Sequence, residues 1–258
     1  MKILHTSDWH LGHALYNYDR SEEQICFLNQ LTGIVQEEQP DVMVVSGDIY
    51  HYSTPSAATQ KMYTDGLLRI HQACPSMTIV VTAGNHDSSS KLEIDSNLWD
   101  HFRVKVIGHI ERCGSAVNWE KQIITIPGQD GNPVGYIAAM PHVYPQNFPI
   151  LSDDTPREER QSRFFQALLD ETGKQNTQQL PVVLMAHLSV ESSDRTGQDD
   201  SAHSEAFKSV LTYSPALSFN PPAAPVLFIP SLYVPAGSLT VCEIDTSFSS
   251  SVLFSQIQ

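Results

Sequence analysis

Positive charge is scarce in this 258-residue sequence, where 15 Lys and Arg stand against 29 Asp and Glu and leave a formal net charge of −14. Proteins that hold nucleic acid by broad charge neutralisation gather Lys and Arg to release phosphate counterions, so that mode is excluded and any DNA contact has to be local. Divalent cations held by carboxylates would offset part of the negative charge where a phosphate approaches. Long apolar runs are also missing: none approaches the roughly 20 residues that a membrane-spanning helix needs, and no membrane association is expected. The opening Met1-Lys2-Ile3-Leu4-His5-Thr6-Ser7-Asp8 has neither an extended apolar core nor a small-residue cleavage site, which makes the cytoplasm the expected location. The cysteines Cys26, Cys74, Cys113 and Cys242 show no C-x-x-C spacing; this excludes a zinc knuckle and a dense disulfide framework and reads as buried thiols.

What the chain does have is the composition of a folded, soluble protein, 41% hydrophobic and 17% charged, at a length that suits one sizeable core. Lys2 to Thr6 reads as an apolar strand that runs into the polar cluster Ser7-Asp8-Trp9-His10. Ser21-Glu22-Glu23-Gln24 has capping-box spacing, and Ile25, Leu28, Leu31 and Val35 share one face, which predicts a helix from about Glu22 to Gln36. Asp41 to Ser46 is a nearly continuous apolar run, as in a strand covered on both faces, and it ends in Gly47-Asp48. The pattern repeats: Pro55 to Ala73 predicts a helix, and Met77 to Thr82 a strand leading to Gly84-Asn85-His86-Asp87. Downstream, Lys91 to Trp99 and Pro156 to Thr172 predict helices, Val104 to Ile107 a strand, and Gln122 to Met140 an antiparallel hairpin turning at Gln129-Asp130-Gly131-Asn132. Leu180 to Met185 predicts a further buried strand, ending in Ala186-His187.

The last fifth differs in kind. From Ala206 onward the chain has one Lys, no Arg, one Glu and one Asp amid frequent Ser and Pro. Each proline inside a helix costs about 3 kcal/mol, so a helix is excluded there, whereas Leu239 to Ile244 suits a terminal strand. The expected division is residues 1–205 as the folded domain and 206–258 as an atypical tail.

Open α/β sheets gather ligands at the carboxyl ends of their strands, and here successive strand ends carry Asp8 and His10, then Asp48, then Asn85, His86 and Asp87. Taken singly, D-x-H, Gly-Asp and Asn-His-Asp are ordinary turn and capping chemistry. In order, they place carboxylate, amide oxygen and imidazole on neighbouring loops, a donor set suited to Mn²⁺, Fe²⁺ or Zn²⁺. Two such ions about 3.5–4 Å apart clamp one phosphate and lower the pKa of a water, and Asp48 can give one carboxylate oxygen to each.

Asp8-x-His10, Gly47-Asp48-Ile49-Tyr50-His51, Gly84-Asn85-His86-Asp87 and Ala186-His187 resemble, in order, the first four motifs of the calcineurin-like metallophosphoesterases. His5-Thr6-Ser7-Asp8-Trp9-His10-Leu11-Gly12 and His51-Tyr52-Ser53-Thr54-Pro55-Ser56 are similar to the wording of its SbcD-type nucleases, a resemblance that covers about residues 1 to 200. It implies a four-layer α/β/β/α sandwich and metal-dependent, preferably Mn²⁺-dependent, DNA cleavage as 3′→5′ exonuclease and endonuclease, coupled to an SbcC-type ATPase. By position, Asp8 and His10 would bind one ion, Asp48 would bridge, and Asn85 and His187 would bind the second. His86 would act as general acid with Asp87 orienting its ring, and His51 would steady the phosphate. Residues 55–73 and 91–99 would form a homodimer contact, while His5 and His13 would support the first loop.

The family's fifth motif, Gly-His-x-His, is not in this sequence, whose last histidine is His203; Gly108-His109-Ile110-Glu111 lies too early and has Glu111 where a second histidine belongs. Each ion would then lack one protein ligand, the second site suffering more. The regions that in relatives cap the DNA and dock the ATPase are not expected in this length, and Ala202 onward reads as a frame-altered, rearranged or diverged segment. Two other readings follow from the same residues: a phosphodiesterase or phosphatase of small substrates, and a non-catalytic remnant that keeps a dimer or partner surface.

Overall fold

The computed structural model describes residues 1–187, apart from 17, 115 and 153, and the backbone of three later strands. In chain order the first half has β1 (Lys2–Thr6), β2 (Ala14–Leu15), β3 (Tyr18–Asp19), α1 (Ser21–Glu38), β4 (Val42–Ser46), α2 (Ala57–Ala73) and β5 (Thr78–Thr82). There follow α3 (Ser89–Leu92), α4 (Ser96–Trp99), β6 (Val104–Ile107), β7 (Arg112–Cys113), β8 (Ala116–Val117) and α5 (Trp119–Gln122). The rest is β9 (Ile123–Pro127), β10 (Pro133–Met140), α6 (Arg160–Gln175), β11 (Val182–Ala186), β12 (Val226–Pro230), β13 (Leu239–Glu243) and β14 (Leu253–Ile257).

Successive side chains of a strand point to opposite faces, and the apolar strands exploit this to serve two cores each. In β4, Val42 and Val44 pack on one side and Met43 and Val45 on the other; Val80 of β5 and Ile3 of β1 join the first pair. Those residues meet Ile124, Ile126, Ile137, Ala139, Val183 and Met185 of a second sheet, so two sheets lie face to face. The first has the order β14-β13-β1-β4-β5-β6 and the second β12-β11-β10-β9. Leu28, Leu31 and Val35 of α1, with Tyr63, Leu67 and Ile70 of α2, cover the outer face of the first sheet. Phe164, Phe165, Leu168 and Leu169 of α6 cover the outer face of the second against Ala138, Met140 and Leu184. The result is the α/β/β/α sandwich that the motifs implied.

Strands β1, β4, β5 and β6 run parallel, as do β10 and β11, whereas β9 and β10 form the expected antiparallel hairpin. The terminal strand expected at 239–244 pairs antiparallel with β1. The start of the diverged segment at Ala202, the composition break at Ala206 and the expected boundary at 205 fall outside the described residues. Among the described residues, no helix is long and apolar enough to cross a membrane.

Several expectations need correction. The capping box does not form: α1 starts at Ser21, no side chain caps it, and Asp19 accepts hydrogen bonds from the Ser21 amide and hydroxyl instead. Gln24 of that box faces inward with Leu28, Leu31 and Val35, while Ile25 is left 40% exposed. The helix expected over 91–99 is two separate turns, α3 and α4. Between them the carboxylate of Glu93 is drawn to the Gly108 amide, Lys121 and His109, tertiary partners that outweigh helical periodicity. Of the cysteines, Cys74 is buried, but Cys26 and Cys113 are exposed, one on the outer side of α1 and one in a two-residue strand; the side chain of Cys242 lies outside the described residues.

Candidate metal centre

The carboxyl ends of β1, β4, β5 and β11 point to one edge of the sandwich. The loops after β1 and β4 are zipped together: the amides of Asp8, His10 and Leu11 donate to the carbonyls of Gly47, Asp48 and Ile49 at 3.1, 2.9 and 2.9 Å. Trp9 is buried in the core under α1 and α2 with its indole N–H on the Thr6 hydroxyl, and its neighbours Asp8 and His10 are left together, Oδ1 to Nε2 3.8 Å. Asp8, His10 and Asp48 have φ of 54°, 42° and 51°, a left-handed region uncommon for residues with a Cβ and concentrated at functional sites. Glycine is required at two adjoining places. A Cβ on Gly47, itself at φ 82°, would strike the His187 ring, and one on Gly84 would strike the Asp48 carboxylate.

Asp48 is central. Its Oδ2 lies 3.7 Å from His10 Nε2 and 3.5 Å from His187 Nε2, and its Oδ1 accepts the His86 amide at 3.0 Å. His187 Nε2 also sits 3.0 Å from Asn85 Oδ1, and its Nδ1 sits 2.9 Å from the Ser46 carbonyl. One ligand atom from each of Asp8, Asp48 and His187 falls within 4.8 Å of the others, and the same holds for His10, His51 and His86. The structure thus brings Asp8, His10, Asp48, Asn85 and His187 into one neighbourhood, with His51 and His86 beside them.

The electrostatics are those of a site that wants positive charge. Burial pushes the Asp8 carboxyl up to about 6 against the weaker pull of the Ser7 hydroxyl and His187. Burial would raise Asp48 too, but His187 and the His86 amide hold it below the usual carboxylate range. Burial pulls His187 down, yet the hydrogen bond and charge of Asp48 outweigh it and carry the imidazolium to about 9. Burial takes His10 down to about 4, leaving a neutral imidazole. Asp8 Oδ2 and His10 Nδ1 are buried with no hydrogen-bond partner among the described residues. Buried orphan oxygen and nitrogen atoms beside two carboxylates are the chemistry that a divalent cation satisfies.

Asp87 does not orient the His86 ring. Its oxygens accept the amides of Gly84, Ile49 and Tyr50 at 2.8, 3.1 and 2.9 Å, which clamps the β5 loop to the β4 loop, whereas His86 Nδ1 is held by the His51 carbonyl at 2.9 Å. A carboxylate surrounded by three peptide N–H groups has more to gain there than from one imidazole. His13 packs its ring on His51 at 4.3 Å, and His5 reaches the Ser46 hydroxyl at 3.1 Å, both beside the site. His109 is paired with Glu93 at 2.7 Å.

Two residues escaped the sequence reading. Gln24 accepts the Gly12 amide and donates to the His10 carbonyl, both at 3.0 Å, bracing the first loop from α1; its place at helical spacing before Leu28, Leu31 and Val35 was the available signal. His142, after β10, lies with its ring centroid 6.1 Å from that of His187 and lines, with Asn85 and Asp87, an adjoining cavity of about 360 Å³. No motif surrounds it in the sequence.

The Calcineurin-like phosphoesterase family model matches residues 1–216. The chain is 31% identical over 193 residues to the SbcD component of the SbcCD nuclease of Rhodobacter capsulatus, which covers 73% of this chain and 48% of that protein. It is 26% identical over 229 residues to the protein of the same name from Escherichia coli, covering 86% and 54%, and 37% identical over 109 residues to that of Bacillus subtilis, covering 42% and 28%. The chain spans about half the length of the first two of these relatives.

Proposed function

Because this chain belongs to the calcineurin-like phosphoesterase family, we propose that it hydrolyses phosphodiester bonds of DNA as the SbcD-type nuclease component of an SbcCD-like assembly. The observation that carries the proposal is the convergence of Asp8, His10, Asp48, Asn85 and His187 from four strand ends around one carboxylate. The proposal includes Mn²⁺ as the metal, 3′→5′ exonuclease and endonuclease activity, an SbcC-type ATPase partner and a cytoplasmic location. It also includes a homodimer through α2 and residues 91–99, where Ile94 and Leu98 stand 77% and 57% exposed.

Asp8 and His10 would hold one cation, Asn85 and His187 the other, and Asp48 would serve both. Two bound cations supply charge to the phosphate oxygens and a water of lowered pKa. To accept them, His187 releases the Nε2 proton that Asp48 stabilises, and Asp8 gives up the proton that burial favours. As the water oxygen bonds to phosphorus and the bond to the departing sugar oxygen breaks, His86 protonates that oxygen from Nε2, its Nδ1 being anchored on the His51 carbonyl. His51, beside His10 and His86, meets a non-bridging phosphate oxygen.

A second reading, hydrolysis of small diesters, is favoured by the net charge of −14 and by the neighbouring cavity of about 360 Å³. The test is end-labelled duplex DNA and bis(4-nitrophenyl) phosphate, each with Mn²⁺, using wild type and Asp48→Ala. DNA shortening that Asp48→Ala abolishes supports the nuclease; turnover of the chromogenic diester with intact DNA transfers support to the small-substrate reading. Absence of both from protein that holds Mn²⁺ refutes hydrolysis.

A further inference from the structure

β10 ends beside β11, with Met140 opposite Ala186, so His142 and His187 leave adjacent strand ends. The His142 amide donates to the Ala83 carbonyl at 2.8 Å, which ties this segment to the end of β5 that carries Asn85. Its side chain is tied as well: Nδ1 lies 3.3 Å from the carbonyl of His187. A carbonyl on Nδ1 fixes the proton there and leaves Nε2 as the lone-pair nitrogen. That Nε2 is buried and has no hydrogen-bond partner among the described residues.

The same device recurs around the centre. His187 has Nδ1 on the Ser46 carbonyl, and His86 has Nδ1 on the His51 carbonyl. Metal-binding imidazoles are held in this way, with the remote nitrogen anchored on an acceptor so that the other is aimed and more basic. His142 also shares the cavity wall with Asn85. A buried nitrogen lone pair needs a donor or a cation, and the neighbouring donor groups offer none to it. We propose that His142 Nε2 is a further ligand of the second cation, on the same ion as Asn85 and His187. This rests on the metal-centre reading and adds to it a nitrogen donor outside the recognised motifs.

The test is Mn²⁺ binding to the full chain by equilibrium dialysis, comparing wild type with His142→Phe, which keeps the ring volume and removes both nitrogens. Two ions on wild type, and a weaker site loosened at least tenfold in the variant with the tighter site unchanged, is the expected result. Equal affinities at both sites in the variant overturn the His142 assignment and leave the centre standing. Wild-type protein that takes up no Mn²⁺ overturns both. Circular dichroism of the metal-free proteins checks the fold. If His142→Phe does not fold, ¹⁵N-histidine wild-type protein loaded with ¹¹³Cd²⁺ decides the matter: two imidazole couplings on one ion support the assignment, and single couplings on each ion overturn it.

Discussion

Replacing Asp48 by Asn removes one charge at nearly constant shape, and the structure sets the size of the response. Asp48 Oδ2 is 3.5 Å from His187 Nε2, and both side chains are buried. Burial alone would put the His187 imidazole below its ordinary 6.5, yet it stands at about 9 because Asp48 bonds and attracts the charged form. At about 1.4 kcal/mol per pH unit, that rise corresponds to about 3 kcal/mol of preference for the imidazolium. In Asp48→Asn only the Asp8 charge and the Ser46 carbonyl are left to oppose burial, and the midpoint should fall by more than one pH unit. Histidine NMR of chelator-treated protein, with His187→Gln to identify the signal, gives the measurement; a variant midpoint within one pH unit of the wild type refutes the pairing. The stability consequence has a definite sign. The raised pKa of His187 contributes stability that is complete below 6.5 and lost as pH rises through about 9, and the raised pKa of Asp8 contributes stability lost between 3.8 and about 6. The lowered pKa of Asp48 contributes the reverse, present above 3.8 and lost as pH falls through its folded value. Metal affinity should therefore climb with pH up to about 9, as binding displaces the His187 proton.

His86→Ala should retain both ions by metal analysis and lose diester hydrolysis by about 10²-fold or more, since His86 is assigned to proton transfer and not to binding. Asp87→Asn should lower stability to urea by about 3 kcal/mol through loss of charge-assisted bonds to three amides, while leaving unchanged the pH profile of any residual turnover; a shifted profile would restore Asp87 as the partner of His86. Gln24→Ala leaves the Gly12 amide unpartnered and removes one of the two donors to the His10 carbonyl, which keeps the His13 amide, and should cost about 1–3 kcal/mol in the same assay, with weaker Mn²⁺ binding at the site that includes His10.

The layers of the fold were legible because β4, β5 and β11 are short apolar runs ending abruptly in polar residues, and a strand buried on both faces has few other ways to read. The neighbourhood of Asp8, Asp48 and Asn85 was legible through the order of those endings, since parallel strands carry their carboxyl ends to one edge, whereas His187, on the second sheet, was placed there only by the resemblance of its motif. What escaped depends on contacts distant in sequence. Glu93 breaks the 91–99 helix by reaching Gly108 and Lys121; Asp87 serves three amides, two of them from the loop that carries Asp48. His142 acquires its setting only because β10 pairs with β11, a pairing across a connection that contains α6. Gln24 was readable from periodicity but hidden by a capping motif that competes for the same four residues.

The proposed centre rests on paired cations about Asp48, and anomalous scattering at the manganese edge from Mn²⁺-soaked crystals of the chain tests for them most directly. Two peaks flanking the Asp48 carboxylate, one toward Asp8 and His10 and the other toward Asn85 and His187, are the expected result. Crystals whose soaked manganese sits only on surface carboxylates, leaving the space among those five side chains without a peak, would contradict it.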